Sequence, residues 1–126
     1  MHLPLIESVR ARELAALANL GAAIGNRSLC SLARSGTSVP SAKYHEGAAA
    51  ALAEARRVIK SIVADSDAAP RARAAILGIR ARWQVRLDAM GRAGPDWAGY
   101  LTGGLDALDQ LIADDDEGRG PLDARH

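Results

Sequence analysis

The chain has 126 residues, of which 48% are hydrophobic and 25% are charged, and its formal net charge is +1. This length suits a single domain, the residue balance excludes an intrinsically disordered chain, and the small charge excludes a general attraction to nucleic acid or membranes. The chain contains 27 alanines, no phenylalanine, two tryptophans and two tyrosines. Because alanine is the best helix former and aromatic residues favour strands, this composition predicts helices almost throughout.

Cysteine content and hydropathy predict where the protein resides. A single cysteine, Cys30, has no partner for an intrachain disulfide and suits a reducing compartment. The first residues do not combine a basic segment with a long apolar run, so we expect no signal peptide. No stretch approaches the roughly 18 apolar residues of a membrane span. The sequence therefore predicts a cytoplasmic protein that does not bind membranes.

The first predicted helix covers residues 5–24. Its apolar stripe, at the 3.6-residue period of a helix, consists of Ile6, Val9, Leu17, Leu20 and Ile24. Gly25 and Asn26 indicate its end, and the Ser-, Gly- and Pro-rich residues 26–40 predict a loop. Glu13 interrupts the stripe. Because an unpaired buried charge is costly, we expect it to pair with an arginine of a neighbouring helix or to face a partner.

A turn at residues 65–70 separates the second and third predicted helices. The second begins near Ser41 and ends near Ala64. Its inner face consists of Tyr44, Ala48, Ala51, Leu52, Ala55, Ile59 and Ile62. The third covers about 68–91, and Pro70 is tolerated because it falls in the first turn. Its stripe consists of Ile76, Ile79, Trp83, Leu87 and Met90.

The fourth predicted helix follows the stop signal of Gly94 and Pro95 and covers about 95–114. Its inward residues are Trp97, Leu101, Gly104, Leu105, Leu108, Leu111 and Ile112. Four amphipathic helices with mostly short connections predict an all-α, antiparallel four-helix bundle with a loop insertion between helices 1 and 2. We expect one domain over residues 1–117 and a flexible, acidic C-terminal tail at 118–126.

Two segments match each other and suggest a repeated αα-hairpin. The pattern Tyr44-x-x-Gly47-x-x-x-Ala51-Leu52 recurs as Tyr100-x-x-Gly103-x-x-x-Ala107-Leu108, and a weaker match aligns residues 12–20 with 71–79. A glycine inside a helix costs about 1 kcal/mol relative to alanine. With or without a duplication, we expect Gly47, Gly103 and Gly104 to allow close approach of the second and fourth helices, with a tyrosine at each end.

The sequence contains no recognisable set of catalytic or metal-binding residues. His45 and Glu46 match the start of the zinc-binding pattern His-Glu-x-x-His, but Ala49 stands where the second histidine is required. Cys30 has no evident activating base, and neither a nucleophile elbow nor a phosphate-binding loop is present. We therefore expect no enzyme activity, no metal and no cofactor.

The third predicted helix is rich in arginine and has no acidic residue before Asp88. Its arginines flank the Trp83 stripe on both sides, and we predict that four of them bind a partner: Arg73, Arg80, Arg82 and Arg86. The alternative is pairing within the chain, because arginine stems commonly border an apolar stripe and carboxylates are available. Those carboxylates belong to Asp106, Asp109, Asp114, Asp115, Asp116 and Glu117.

These observations predict a small, non-enzymatic protein-binding module that presents helix faces to another protein or protein complex. An adaptor, an inhibitor or an assembly subunit fits, for example a phage or mobile-element product that blocks a host complex, by analogy at the level of the fold. The alternative function is nucleic-acid binding, with the arginines of the third helix on phosphates. Alanine- and glycine-rich faces also suit a homodimer.

Overall fold

The computed structural model describes residues 5–24, 40–62 and 67–123. Its elements there are α1 (Leu5–Ile24), α2 (Pro40–Lys60), α3 (Ala68–Met90), a 3-10 helix (Gly91–Ala93) and α4 (Pro95–Asp123). The predicted all-α, antiparallel four-helix bundle is confirmed. The predicted loop between the first two helices, together with Cys30, lies outside the described residues.

The second helix is shorter than predicted. It ends at Lys60 rather than near Ala64. The amides of Ser61 and Ile62 bond to carbonyl groups three residues earlier, at N···O distances of 3.1 Å, which tightens the last turn and closes the helix.

The fourth helix is longer than predicted, since it continues to Asp123 instead of ending near residue 114. Carboxylates at and just after the predicted end are paired with neighbouring helices: Asp114 with Arg12 of α1, and Asp115 with Arg73 of α3. These contacts hold the chain against the bundle where composition alone predicts a polar tail. The domain limit at residue 117 and the flexibility of residues 118–126 stay predictions.

The register of the ion pairs gives the direction of each helix. Arg73 of α3 pairs with Asp115 of α4, and Arg80 pairs with Asp109, so these two helices are antiparallel.

Two further pairs of contacts orient α2. Glu13 of α1 pairs with Arg56, and the later residue Asn19 lines a cleft with the earlier residue His45, so α1 is antiparallel to α2. Arg82 of α3 pairs with Glu54, and Arg86 lines a groove with Glu46, so α3 is antiparallel to α2 as well. Since α2 and α4 are both antiparallel to α3, they run in the same direction and form one diagonal of an up-down-up-down bundle. The outer helices α1 and α3 pack against this central pair from opposite sides.

Helices α2 and α4 approach each other so closely at two glycines that no side chain fits between them. A Cβ atom added to Gly47 would overlap the Tyr100 carbonyl oxygen and lie 2.6 Å from its carbon. One added to Gly103 would overlap the Tyr44 carbonyl oxygen and lie 2.7 Å from its carbon. The predicted close approach is confirmed at these residues, and we call the four of them the α2–α4 seam.

Gly104 has a different role from the one predicted for it. A Cβ atom added there would overlap the indole ring of Trp83 and lie 3.0 Å from the ring's Cη2 atom. The glycine therefore admits the Trp83 side chain of α3 onto the backbone of α4, rather than admitting α2. The indole also stacks on Tyr100, with ring centroids 5.6 Å apart and planes 21° apart.

Medium-sized aliphatic side chains and alanines from all four helices, together with Trp83 of α3, form the core. Its largest fully buried members are Leu52, Ile76, Ile79, Leu101, Leu108, Leu111 and Val9. Ala51 and Ala55 are fully buried as well, which keeps α2 close to its neighbours. Within the described part of the chain, no helix combines the length and apolar character that crossing a bilayer requires.

Three residues predicted to face the core are exposed instead. Leu17 is 49% exposed because the inward positions of α1 are Val9 and Ala16, which leaves its larger neighbour on the outside. Met90 and Trp97, of which Trp97 is 43% exposed, lie on either side of the turn between α3 and α4.

Candidate functional site

Arg73 and Arg80 of α3 are bound by carboxylates of α4. Arg73 Nη1 lies 2.8 Å from oxygens of both Asp115 and Asp116, and Arg80 pairs with Asp109. The hydrogen bond to Asp115 raises the pKa of Arg73 above its ordinary value, and the hydrogen bond to Asp109 does so for Arg80; partial burial acts against both. Pairing within the chain, the alternative interpretation of these arginines, is therefore present at both positions.

Arg82 and Arg86 lie along the other edge of α3 and are more accessible. Arg82 Nη2 donates to Glu54 Oε2 at 3.1 Å, yet 64% of the Arg82 side chain is exposed. The guanidinium carbon of Arg86 lies 5.0 Å from the centroid of the Trp83 ring, a cation–π contact on the outside of the bundle. All four predicted partner-binding arginines thus have contacts within the chain, and their contact with a partner stays a prediction.

An apolar stripe lies on the outward face of α3, between the two rows of arginines. Its residues are all exposed: Ala74, Leu77, Ala81 and Val85. Leu77 is 44% exposed and Val85 is 66% exposed. We call these four residues the outer α3 stripe. Arg73 and Arg80 border it on one side and Arg82 on the other, so α3 carries one apolar face toward the core and a second toward solvent.

The outer α3 stripe was not predicted from the sequence, although the arginines beside it were. The signal was present, because positions 74, 81 and 85 repeat at the same helical spacing as the inward positions 72, 79 and 83. A helix with two opposed apolar faces has no single stripe from which its inner side can be recognised. Trp83, the largest of these side chains, indicated the inner face.

Helix α1 also carries apolar side chains on its outward face. Leu14 is 70% exposed, the highest exposed fraction among the large hydrophobic residues that the structure describes, and Leu17 lies one turn further along. No charged residue occurs between Leu14 and Ile24. This face lies on the side of the central helix pair opposite the outer α3 stripe.

A cleft of about 200 Å³ opens between α1, α2 and α4. It is lined by Arg12, Ala15, Ala16, Asn19, Tyr44, His45, Ala48, Leu52, Gly103, Ala107 and Gln110. Arg12 crosses from α1 to α4, where its Nη1 donates to Gln110 Oε1 at 2.9 Å and its Nη2 donates to Asp114 Oδ1 at 2.6 Å. The Tyr44 hydroxyl donates to Asp106 Oδ2 at 2.6 Å, a hydrogen bond that raises the pKa of Tyr44 to about 12. Fixed polar groups therefore surround an apolar floor.

A larger groove of about 680 Å³ lies at the end of the bundle where α3 turns into α4. Trp97 and Tyr100 supply its aromatic surface, with ring centroids 6.2 Å apart, and Arg86 borders it. Glu46 Oε2 is buried there and accepts no hydrogen bond from the described part of the chain, although Lys43 Nζ lies 3.4 Å away. Aromatic faces beside a carboxylate oxygen with spare acceptor capacity are features of binding pockets.

The remaining candidate residues of the sequence analysis have structural contacts. Arg56 Nε donates to Glu13 Oε1 at 2.7 Å, which confirms the expected pairing of Glu13 with an arginine of a neighbouring helix. His45 packs edge-on against Tyr44, with ring centroids 5.4 Å apart. Among the described residues, no three His, Cys, Asp or Glu side chains gather closely enough to hold a metal ion.

Comparisons of the chain with protein-family models, with curated proteins and with solved structures found no match. The geometry of the exposed faces is therefore the basis on which a function is assigned.

Proposed function

We propose that this chain is a small helical protein-binding module that contacts its partner through the outer α3 stripe. One observation carries the proposal: an exposed apolar stripe, with Val85 66% exposed, runs along a surface helix between rows of arginines. Contiguous exposed apolar surface with a polar rim is typical of protein interaction sites, and arginine is enriched at interfaces. An adaptor, an inhibitor and an assembly subunit would each use such a surface.

The stripe favours an amphipathic helix as the partner element. Exposed residues at positions 74, 77, 81 and 85 follow the spacing at which one helix packs against another. Complete burial of a leucine or valine is worth about 1.5–3 kcal/mol, so covering the exposed part of Leu77 would contribute about 0.7–1.3 kcal/mol and that of Val85 about 1–2 kcal/mol. Acidic residues flanking the partner's apolar stripe would meet Arg82 and Arg86, the more accessible arginines.

Nucleic-acid binding is the less favoured function. A phosphate backbone would have to compete with Asp115 and Asp116 for Arg73, and with Asp109 for Arg80. Binding would then release few counterions, and an apolar stripe contributes nothing to a phosphate contact. These considerations support a protein partner over duplex or single-stranded nucleic acid.

Affinity capture from a lysate of the source cell, with and without nuclease, tests the proposal. We expect a captured protein that resists nuclease and is lost at least tenfold when Leu77 and Val85 are both replaced by aspartate. Leu14→Asp is the control, since Leu14, at 70% exposed, is as accessible as Val85 but lies on α1. Retention by the doubly substituted chain would refute the assignment of the surface. Loss of all capture after nuclease treatment would favour nucleic acid instead.

A further inference from the structure

The Trp83 side chain occupies a pocket on one side of the α2–α4 pair, which we call the Trp83 pocket. Its ring stacks on Tyr100 and covers the backbone at Gly104. Its Nε1–H donates to Glu54 Oε1 at 3.0 Å, which satisfies the only polar atom of the indole. Three contacts therefore define this pocket: an aromatic ring, a helix backbone without a side chain, and a carboxylate oxygen that accepts the indole N–H.

The cleft on the other side of the pair is built from the corresponding residues. The repeated pattern that aligns Tyr44 with Tyr100 also aligns Ala48 with Gly104 and Gln110 with Glu54. Tyr44, Ala48 and Gln110 line the cleft between α1, α2 and α4. The cleft is thus the counterpart of the Trp83 pocket, with α1 as its outer helix instead of α3.

The outer helix makes the difference between the two sides. Trp83 projects from α3 into the Trp83 pocket, whereas the buried residue that α1 places against the cleft is Ala16. An alanine cannot fill the space that an indole fills on the other side. The result is an open cleft of about 200 Å³, compared with the roughly 150 Å³ of an apolar cavity that admits benzene.

We propose that this cleft binds an indole ring, supplied either by a free small molecule or by a tryptophan side chain of a partner protein. Gln110 Oε1 is the counterpart of the Glu54 acceptor, and an amide oxygen has two lone pairs, of which Arg12 Nη1 uses one. Ala48 carries a methyl group that Gly104 lacks, so the ring would lie further out than that of Trp83. Aromatic anchors in such pockets dominate many protein interfaces.

The site is separate from the outer α3 stripe, because α1 and α3 lie on opposite sides of α2 and α4. Failure of one proposal therefore leaves the other standing. Ala15 and Asn19, at the rim of the cleft, are exposed residues of α1. A ligand can thus enter from solvent at the edge of the apolar outward face of α1.

Titration of the isotopically labelled full chain, followed by amide chemical shifts, tests the proposal. Indole and N-acetyltryptophanamide should each cause saturable shifts at Ala16, Ala48 and Gln110. Loss of the N–H donor should weaken binding, so 1-methylindole should bind about threefold to tenfold more weakly than indole. A tryptophan-containing peptide that binds more tightly than indole would identify a partner protein as the source; tighter binding of indole would identify a small molecule. The absence of saturable shifts with both probes would overturn the proposal.

Two substitutions change the cleft in opposite directions. Ala16→Trp should fill it from within and abolish binding of indole, whereas Ala48→Gly should deepen it and tighten binding. Ala89→Trp, which adds the same side chain to an exposed position of α3 outside the outer α3 stripe, is the matched control and should leave binding unchanged. Unaltered indole binding by the Ala16→Trp chain, with its helical circular dichroism intact, would show that the ring binds elsewhere. Ala48→Gly keeps the test decisive if the tryptophan variant does not fold.

Discussion

The two glycines of the α2–α4 seam allow the packing of the bundle to be tested by adding a single methyl group. Replacing a glycine inside a helix by alanine gains about 1 kcal/mol of helix propensity, so a net loss of stability must come from packing. At Gly103 the methyl carbon would overlap the carbonyl group of Tyr44, a backbone group that cannot rotate away. Overpacking costs about 1–3 kcal/mol, with backbone overlap at the upper end. We expect Gly47→Ala and Gly103→Ala each to lower the free energy of unfolding by about 1–2 kcal/mol net.

Gly78 supplies the matched control, because among the described residues a Cβ atom there would meet only Arg82 Nη1, at 3.9 Å. Gly78→Ala should therefore raise the free energy of unfolding by about 0.5–1 kcal/mol. Urea unfolding followed by circular dichroism measures all three variants. With a slope of about 2 kcal/mol/M, the midpoints should fall by about 0.5–1 M for Gly47→Ala and Gly103→Ala and rise by about 0.25–0.5 M for Gly78→Ala. Stabilisation by all three alanines would refute the close approach of α2 and α4.

Three further predictions concern single residues. Gly104→Leu should lower the free energy of unfolding by about 3 kcal/mol or more and shift the fluorescence of Trp83, because the new side chain displaces the indole. Gly94→Ala should lower the free energy of unfolding by about 1–3 kcal/mol, because Gly94 has a φ of 149°, which residues with a Cβ rarely adopt; thermal unfolding measures the loss. The pKa of Tyr44, about 12 instead of its ordinary 10, should appear in an absorbance titration and fall after Asp106→Ala. The stability from this hydrogen bond is complete below pH 10 and lost as the pH rises through 12.

Local signals were sufficient to predict the helices and most of their bounds. Pro70 in a first turn and the Gly94–Pro95 break placed the limits of α3 and the start of α4, because these residues restrict the backbone whatever surrounds them. The glycines of the α2–α4 seam were predictable for a related reason. A helix-interior glycine lowers stability by itself, so a close contact is the simplest compensation, and Gly47 and Gly103 have one.

The orientation of the outer helices could not be predicted in the same way. Alanine and leucine cover α1 on nearly every side, so more than one stripe fits the helical period, and the larger Leu17 wrongly indicated the inner face. The weaker sequence match had aligned Leu17 with Ile76, but Ile76 is buried and Leu17 is half exposed. Which arginine meets which carboxylate likewise depends on the register between α3 and α4, which exists only once the helices have packed.

The burial pattern gives a different correspondence between the halves, with Val9 and Ala16 of α1 in the places of Ile76 and Trp83 of α3. This alignment makes a stability prediction that is independent of any ligand. The pair Ala16→Trp and Ala48→Gly recreates the Trp83–Gly104 contact on the α1 side. In a chain that carries Ala48→Gly, Ala16→Trp should therefore raise the free energy of unfolding by about 1–2 kcal/mol. In a chain that keeps Ala48 the increase should be smaller, because the methyl group of Ala48 opposes the indole ring.

A double-mutant cycle in urea measures that difference directly. If the tryptophan destabilises the chain equally in both backgrounds, the two sides of the α2–α4 pair are not equivalent, and the indole assignment of the cleft loses its structural basis. If Ala16→Trp is more stabilising in the chain with Ala48→Gly than in the chain with Ala48, as expected, this one substitution stabilises the fold and also closes the cleft. The alanine at position 16 then contributes an opening that the fold itself does not require, since a tryptophan there would hold the bundle together more firmly.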